Sequence, residues 1–284
     1  MSAPAAELDA AAEGRREVAP DRLAEARRLW ALTWTLAVTD WRLRFYGSVL
    51  GVLWTLVRPF AFFGVILFVF TEIAGLDKDV HNYAIYILFA LVLFTFFSEV
   101  TSNSVGSLVA RESLLRKMRF HPIVIPLSVA VTALLNLAMT FVAVLVFSVI
   151  FGVWPTWRWV ELPLLIAAMT ALALGVGMLL SALYVRYRDV QPIWDVALQM
   201  LFYASSVLYV AFPTVPDEYR DYFLCNPIAA LFAQMRRMVV DPHAPSVFFL
   251  MGWRVAIPGA IIVGLFALGL WFFVRESPRV AENL

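Results

Sequence analysis

Four stretches of the sequence contain no Asp, Glu, Lys or Arg: Ile123–Trp157, Leu162–Val185, Val196–Pro216 and Val255–Val274. Each reaches the roughly 20 residues that a helix needs to cross a hydrocarbon core ~30 Å thick. No water is present in that core to satisfy backbone N–H and C=O groups, so a spanning segment must bond to itself as a helix. This predicts an all-α polytopic membrane protein. Composition agrees, with 62% hydrophobic and 15% charged residues and a mean hydropathy of +0.80. Soluble domains carry about a quarter of their residues as charges. Two further segments are apolar but interrupted, Phe45–Ala74 by Arg58 and Glu72, and Tyr83–Ser107 by Glu99. With them the chain has six predicted transmembrane helices, at about 49–74, 83–107, 124–152, 162–185, 193–212 and 255–275.

Lys and Arg concentrate in cytoplasmic segments of membrane proteins. Fifteen fall in the N-terminal region, the second and fourth connections and the C-terminal tail, against six on the other side. Both termini are therefore expected in the cytoplasm, and an even number of spans agrees. Residues 1–20 read as a disordered cytoplasmic tail and lack the basic-then-apolar order of a signal peptide. Residues 21–284 read as a single transmembrane domain. Its first part, 21–46, mixes Trp30, Trp34, Trp41 and several Leu with Arg27, Arg28 and Arg42. That mixture is the mark of an amphipathic interface helix lying in the headgroup plane.

The connection SLVARESLLRKMRFHP (Ser107–Pro122) interleaves five large apolar residues with Arg111, Arg116, Lys117 and Arg119. It is expected to form a short amphipathic cytoplasmic helix ending at Pro122, since proline cannot continue a helix. The positive-inside rule explains its charges but not their pairing with apolar residues, so the helix has a face to dock on lipid or on a partner. Between spans five and six, Pro213–Ser246 holds five prolines, and its longest uncharged run is too short to span. Short re-entrant or interfacial helices are expected there.

Catalytic chemistry is nearly absent. Lys78 and Lys117 are the only lysines and neither sits in a GxxxxGK[ST] loop, which excludes a P-loop on this chain. His81, His121 and His243 have no metal-ligand spacing, and Cys225 is alone, so no catalytic site, metal or bound cofactor is expected. Gly175 and Gly177 in LALGVGMLLSALY, like Gly47 and Gly51, read as close helix-packing positions.

The order of these pieces carries a resemblance. An interface helix runs into YGSVLGVLWTLVRPF (Tyr46–Phe60), a basic helix separates spans two and three, YVRYRDV (Tyr184–Val190) closes span four, and a broken outer segment precedes span six. The chain resembles the permease subunits of ABC exporters that move lipid-linked polysaccharides, the O-antigen, teichoic acid and galactan exporters. The resemblance runs from about Asp21 to the C-terminus. It implies a homodimer in a bacterial plasma (inner) membrane, working with two copies of a separate cytoplasmic ATPase that binds ATP and Mg. It implies a glycan on a polyprenyl diphosphate as substrate and no nucleic-acid partner. Trp54, Arg58, Tyr203 and Tyr209 are the candidates for the substrate path or gate. Arg111, Arg116, Lys117, Arg119, Arg188 and Asp189 are those for ATPase coupling or the cytoplasmic gate.

Arg58 departs from the neutral polar residue that many relatives place before the proline. An intramembrane charge costs about 2.5–3.5 kcal/mol on insertion scales and by default faces a cavity. The competing reading is snorkelling to the cytoplasmic headgroups, about 13.5 Å away at 1.5 Å per residue. A diphosphate is well matched to the planar fork of Arg. Phe202, Tyr203, Tyr209 and Phe212 either form an interfacial aromatic belt or stack on sugar along the path. Two other functions share parts of the pattern. One is an ABC permease for drugs or small lipids, and the other is a secondary transporter, for which the expected internal repeat is missing.

Overall fold

The computed structural model describes residues 22–45, 51–73, 82–113 and 121–283, and every regular element among them is helical. Helix α1 spans Arg22–Phe45. Helix α2, Gly51–Phe68, runs through Pro59 and ends in a π-helical turn, Val69–Ile73. The bundle continues with α3 (Tyr83–Val105), α4 (Val124–Ile150), α5 (Leu162–Arg186) and α6 (Val190–Ala204). Two short helices follow, α7 (Asp217–Leu224) and α8 (Pro227–Met235), the second extended by a π turn over Arg236–Val240. The long α9, Ala256–Asn283, closes the chain.

Among the described residues, four helical stretches are long and apolar enough to cross a membrane: Tyr83–Val105, Val124–Ile150, Trp157–Arg186 and Val247–Ser277. They coincide with predicted spans two, three, four and six. Their antiparallel order gathers Arg111, Arg186, Arg188 and Arg275 at one end of the bundle, which is called the basic end below.

Helix α3 occupies the centre. Tyr86, Phe89, Leu88, Leu93 and Phe97 on it are fully buried, and it packs on α2, α4, α5 and α6. In lipid there is no hydrophobic drive between helices, so close packing of small residues takes its place. That is what Gly175 and Gly177 do. Gly175 faces α9, where an added Cβ would lie 2.6 Å from Phe266 Cα, and Gly269 approaches the Gly175 carbonyl just as closely. Gly177 faces α3, where a Cβ would meet Ser104 Oγ at 2.7 Å. Two glycines one residue apart thus seat α5 against two different neighbours, as their spacing predicts.

The fifth predicted span differs. A continuous helix over 193–212 was expected, but α6 ends at Ala204 after 15 residues, about 22 Å of rise. Beyond it Ser206 is left-handed, with φ 53°, and no regular helix resumes over Ala211–Thr214, where Phe212 is extended at φ -122° and ψ 124°. The reason is tertiary. Tyr83 donates its phenol O–H to Leu208 O, and Tyr86 donates to Ser206 O at 2.6 Å and approaches Tyr209 O at 3.2 Å. Asn226 donates to Ala204 O and Ser205 Oγ, closing the end of α6, while its Oδ1 accepts from Ile228 N and caps α8. Unwound backbone at membrane depth is stable only when protein satisfies it in this way. Ser205, Ser206, Val207, Leu208 and Val210 are all buried.

Short helices were expected in the segment before the last span, and α7 and α8 supply them. Together with Val247–Met251 they form a cap with a small core of Ala211, Leu224, Ala230, Val247 and Met251. Helix α1 lies along α4 and buries Thr33 and Ala37, leaving Leu23, Trp30, Trp34 and Leu43 exposed. The face turned to the bundle is centred on these small residues, with Leu29, Leu32, Leu36 and Trp41 half-buried beside it and Trp30 and Trp34 pointing away. The tail 1–20 and the basic segment 114–120 lie outside the described residues.

Candidate functional site: a charged cavity among five helices

Four residues in the first part of α4 are polar and spaced four apart in a largely apolar helix: Ser128, Thr132, Asn136 and Thr140. That spacing aligns them on one face. The hydroxyls are satisfied within the helix, Ser128 by Ile125 O, Thr132 by Ser128 O and Thr140 by Asn136 O, so they add little cost. Asn136 reaches across instead, donating from Nδ2 to Glu99 Oε1 of α3 at 2.6 Å. Glu99 also forms an ion pair with Arg44, from the last turn of α1.

These three residues sit at the polar side of an open cavity of about 810 Å³ lined by α1, α2, α3, α4 and α6. Its volume falls in the range of ligand pockets. The opposite side is apolar and aromatic. Phe202 of α6 meets Phe94 edge-on at 5.2 Å and lies 6.5 Å from Phe62 of α2. Pro59 of α2 and Leu91 of α3 also line the wall. Arg44 and Glu99 are the charged groups among the described lining residues, and they face an apolar, aromatic wall. Asn136 Oδ1 is buried with no hydrogen-bond partner among the described residues.

A second ion pair lies one helical turn away on α1. Asp40 pairs with Arg111, which also donates to Ser128 Oγ at 2.7 Å, and Thr132 Oγ1 lies 3.2 Å from Ala37 O, a longer contact than its bond to Ser128 O. The short helix Ser107–Ala110 thus leads directly into a contact with α1. Asp40 and Arg44 belong to the same rigid turn, so the basic-end connection and the cavity share one helix. Arg111→Ala should loosen α1 from α4, because it strips Asp40 and Ser128 of a shared donor. The cost for a pair this far out of water is about 1–3 kcal/mol, between surface and buried pairs. Faster proteolysis within α1 and a melting temperature lower by a few degrees are expected, with partial recovery in Asp40→Arg/Arg111→Asp. Unchanged proteolysis and melting in Arg111→Ala would show that the pair holds nothing.

The other sequence-derived candidates are dispersed. Trp54 and Arg58 lie on α2 next to the cavity-lining Pro59, and their side chains are outside the described residues, as are Arg116, Lys117 and Arg119. Tyr203 is exposed at the far end of α6, its ring edge-on to Phe202, and its carbonyl accepts from Tyr209 O–H at 2.9 Å. Tyr209 lies 5.8 Å from Phe223 of α7, in the unwound stretch. Arg188 and Asp189 sit at the basic end between α5 and α6, Arg188 over the Tyr184 ring at 4.9 Å. Among the candidates whose side chains are described, Arg111 joins the neighbourhood of the cavity through α1, and Tyr203 touches it through Phe202.

Sequence reasoning missed Arg44, Glu99 and Asn136 as a unit. Arg44 read as part of an interface helix, and Glu99 as a charge near a span end. The four-residue polar stripe on α4 was the available signal. In the cap, Arg236 is buried, donates to Phe212 O and lies 3.7 Å from Asp241. Burial holds its guanidinium below the ordinary value, with Asp241 pulling the other way.

Long apolar helices packed around a cavity that carries charged groups are features of a membrane permease. The chain belongs to the ABC-2 type transporter family, whose model matches residues 31–240. It is a multi-pass membrane component of that class. Among its relatives it is similar to the O-antigen export system permease protein RfbA of Myxococcus xanthus, 30% identical over 252 residues, 88% of this chain and 94% of that protein. A protein of the same name from Klebsiella pneumoniae is 25% identical over 203 residues, 71% of this chain and 77% of that one. The polysialic acid transport protein KpsM of Escherichia coli is 23% identical over 214 residues, 73% of this chain and 81% of its own.

Proposed function

We propose that this chain is the transmembrane subunit of an ABC exporter that moves a lipid-linked polysaccharide out of the cytoplasm. The glycan rides on a polyprenyl diphosphate, and a separate ATPase, present in two copies, drives a homodimer of this chain. In this reading the basic end faces the cytoplasm of a bacterial cell, both termini lie there, and six crossings are completed by α2 with its π turn and by α6 with its unwound continuation. The observation that carries it is the amphiphilic cavity, with a charged pair on one side and an aromatic, apolar wall on the other. A lipid carrier with an anionic head and a polar glycan has that same division. Similarity to permeases named for O-antigen and polysialic acid supports the substrate class.

The basic segment 107–122 is assigned to ATPase contact, since a permease without a P-loop needs a docking surface for an external motor. The test is co-purification of the full chain with the ATPase encoded beside it, followed by ATP hydrolysis in proteoliposomes. The chain alone should be inactive, and hydrolysis by the pair should rise on adding lipid-linked glycan. Stimulation by drugs or short-chain lipids, with none by the glycan lipid, would replace this reading by a small-amphiphile exporter.

A further inference from the structure

Arg44 and Glu99 present an arrangement that a purely structural ion pair does not need. Both remain accessible from the cavity, with 40% of the Arg44 side chain and 19% of that of Glu99 exposed. Asn136 holds the same Glu99 oxygen from the other side at 2.6 Å, so this carboxylate has a second partner when Arg44 is taken away. Arg44 has no other anion among the described lining residues. From this geometry we infer that Glu99 is a built-in competitor anion, occupying the place on Arg44 that the phosphate of an amphiphile takes when it enters the cavity. This rests on the proposed export of a phosphate-bearing lipid and deepens it by naming the residue that receives the phosphate and the one that vacates it.

The chemistry is directional. A guanidinium forms paired charge-assisted hydrogen bonds with a carboxylate or a phosphate, and a phosphate offers more acceptor oxygens and more negative charge. Displaced Glu99 stays hydrogen-bonded to Asn136, which keeps the carboxylate from being left unpaired inside the bundle. The apolar wall of Phe62, Phe94 and Phe202 then receives the hydrocarbon next to the head. Empty, the site carries its own counter-charge, so an incoming anion must displace a carboxylate before it gains Arg44. That arrangement limits occupancy to ligands that bind Arg44 more strongly than Glu99 does.

A competitor makes an unusual prediction, since removing a charged residue from the site should improve binding. The probe is geranylgeranyl diphosphate added to the purified full chain in maltoside micelles, with geranylgeraniol as the uncharged match and binding read by native mass spectrometry. Glu99→Gln keeps the hydrogen-bonding shape, and it should bind the diphosphate at least about tenfold more tightly than the unaltered protein. That corresponds to about 1.4 kcal/mol, modest for two like charges a few ångströms apart. Arg44→Gln should weaken the diphosphate by at least a similar factor, and Arg44→Lys should lose less because it keeps the charge but not the fork. Geranylgeraniol should be indifferent to all three.

No tightening in Glu99→Gln, or equal changes for the alcohol and the diphosphate, would overturn the proposal. Phosphatidylglycerol forms a further arm. Tightening for the isoprenyl diphosphate but not for this lipid assigns the site to the transport substrate, whereas equal tightening assigns it to a membrane phospholipid, and either upholds the anion site. Export of lipid-linked glycan that persists while the binding pattern fails would overturn this inference and leave the transport function standing.

Discussion

Gly175→Val should prevent α5 and α9 from closing on one another, and the folded protein should be largely lost. An added Cβ would stand 2.6 Å from Phe266 Cα and 2.7 Å from Leu265 O, all backbone that no rotamer change can move. Overpacking a well-filled core costs about 1–3 kcal/mol, and contact with the backbone of the facing helix places this site at or above the top of that range. The helix axes must part, which also breaks the reciprocal contact of Gly269 with the Gly175 carbonyl. In detergent, size-exclusion chromatography should show little monodisperse protein. Gly177→Ala should be milder, because its nearest neighbour is the Ser104 hydroxyl, which is able to rotate. Gly264→Val, on the same α9 with nothing within 4 Å of the added carbon, should behave as the parent. A Gly175→Val protein as stable as Gly264→Val would mean that the two helices do not meet at these glycines.

Arg236→Met should unfasten the unwound stretch after α6. The guanidinium is buried, donates to Phe212 O and balances Asp241, so its loss leaves a carbonyl and a carboxylate without their cation. Breaking a buried pair from one side costs about 3–5 kcal/mol. The unwound segment has few hydrogen bonds of its own, so the loss should appear there as local opening before the whole protein melts. Hydrogen exchange at residues 205–214 should rise by at least about a hundredfold while the centre of α3 stays protected. Arg236→Met/Asp241→Asn should recover part of that protection, since no carboxylate then remains unpaired. Exchange unchanged in Arg236→Met would assign the local order to Tyr83, Tyr86 and Asn226 alone.

Much of the fold was legible because lipid imposes a severe rule. Long uncharged runs must be helical there, so spans two, three, four and six could be located within a few residues. Gly175 and Gly177 were readable as contact points because small residues at helix interfaces are how membrane helices approach. The break in span five was not readable. Residues 196–216 are as uncharged as a spanning helix, and nothing local requires them to unwind at Ser205. The groups that donate to the freed carbonyls come from Tyr83 and Tyr86, more than a hundred positions earlier, and from Asn226 and Arg236 beyond the segment.

The cavity follows the same division. Glu99, Arg44 and Asn136 were visible in the sequence as isolated polar residues, separated by 55 and 37 positions along the chain. Hydropathy and charge determined that this is a helical membrane protein and the places of spans two, three, four and six, because those properties belong to segments. Tertiary structure alone decided which polar side chains meet, since each buried charge must find its partner in three dimensions. The pairings of Arg44 with Glu99 and of Arg111 with Asp40 depend on how α1 crosses α4, a relation between segments that the pattern within either helix does not contain.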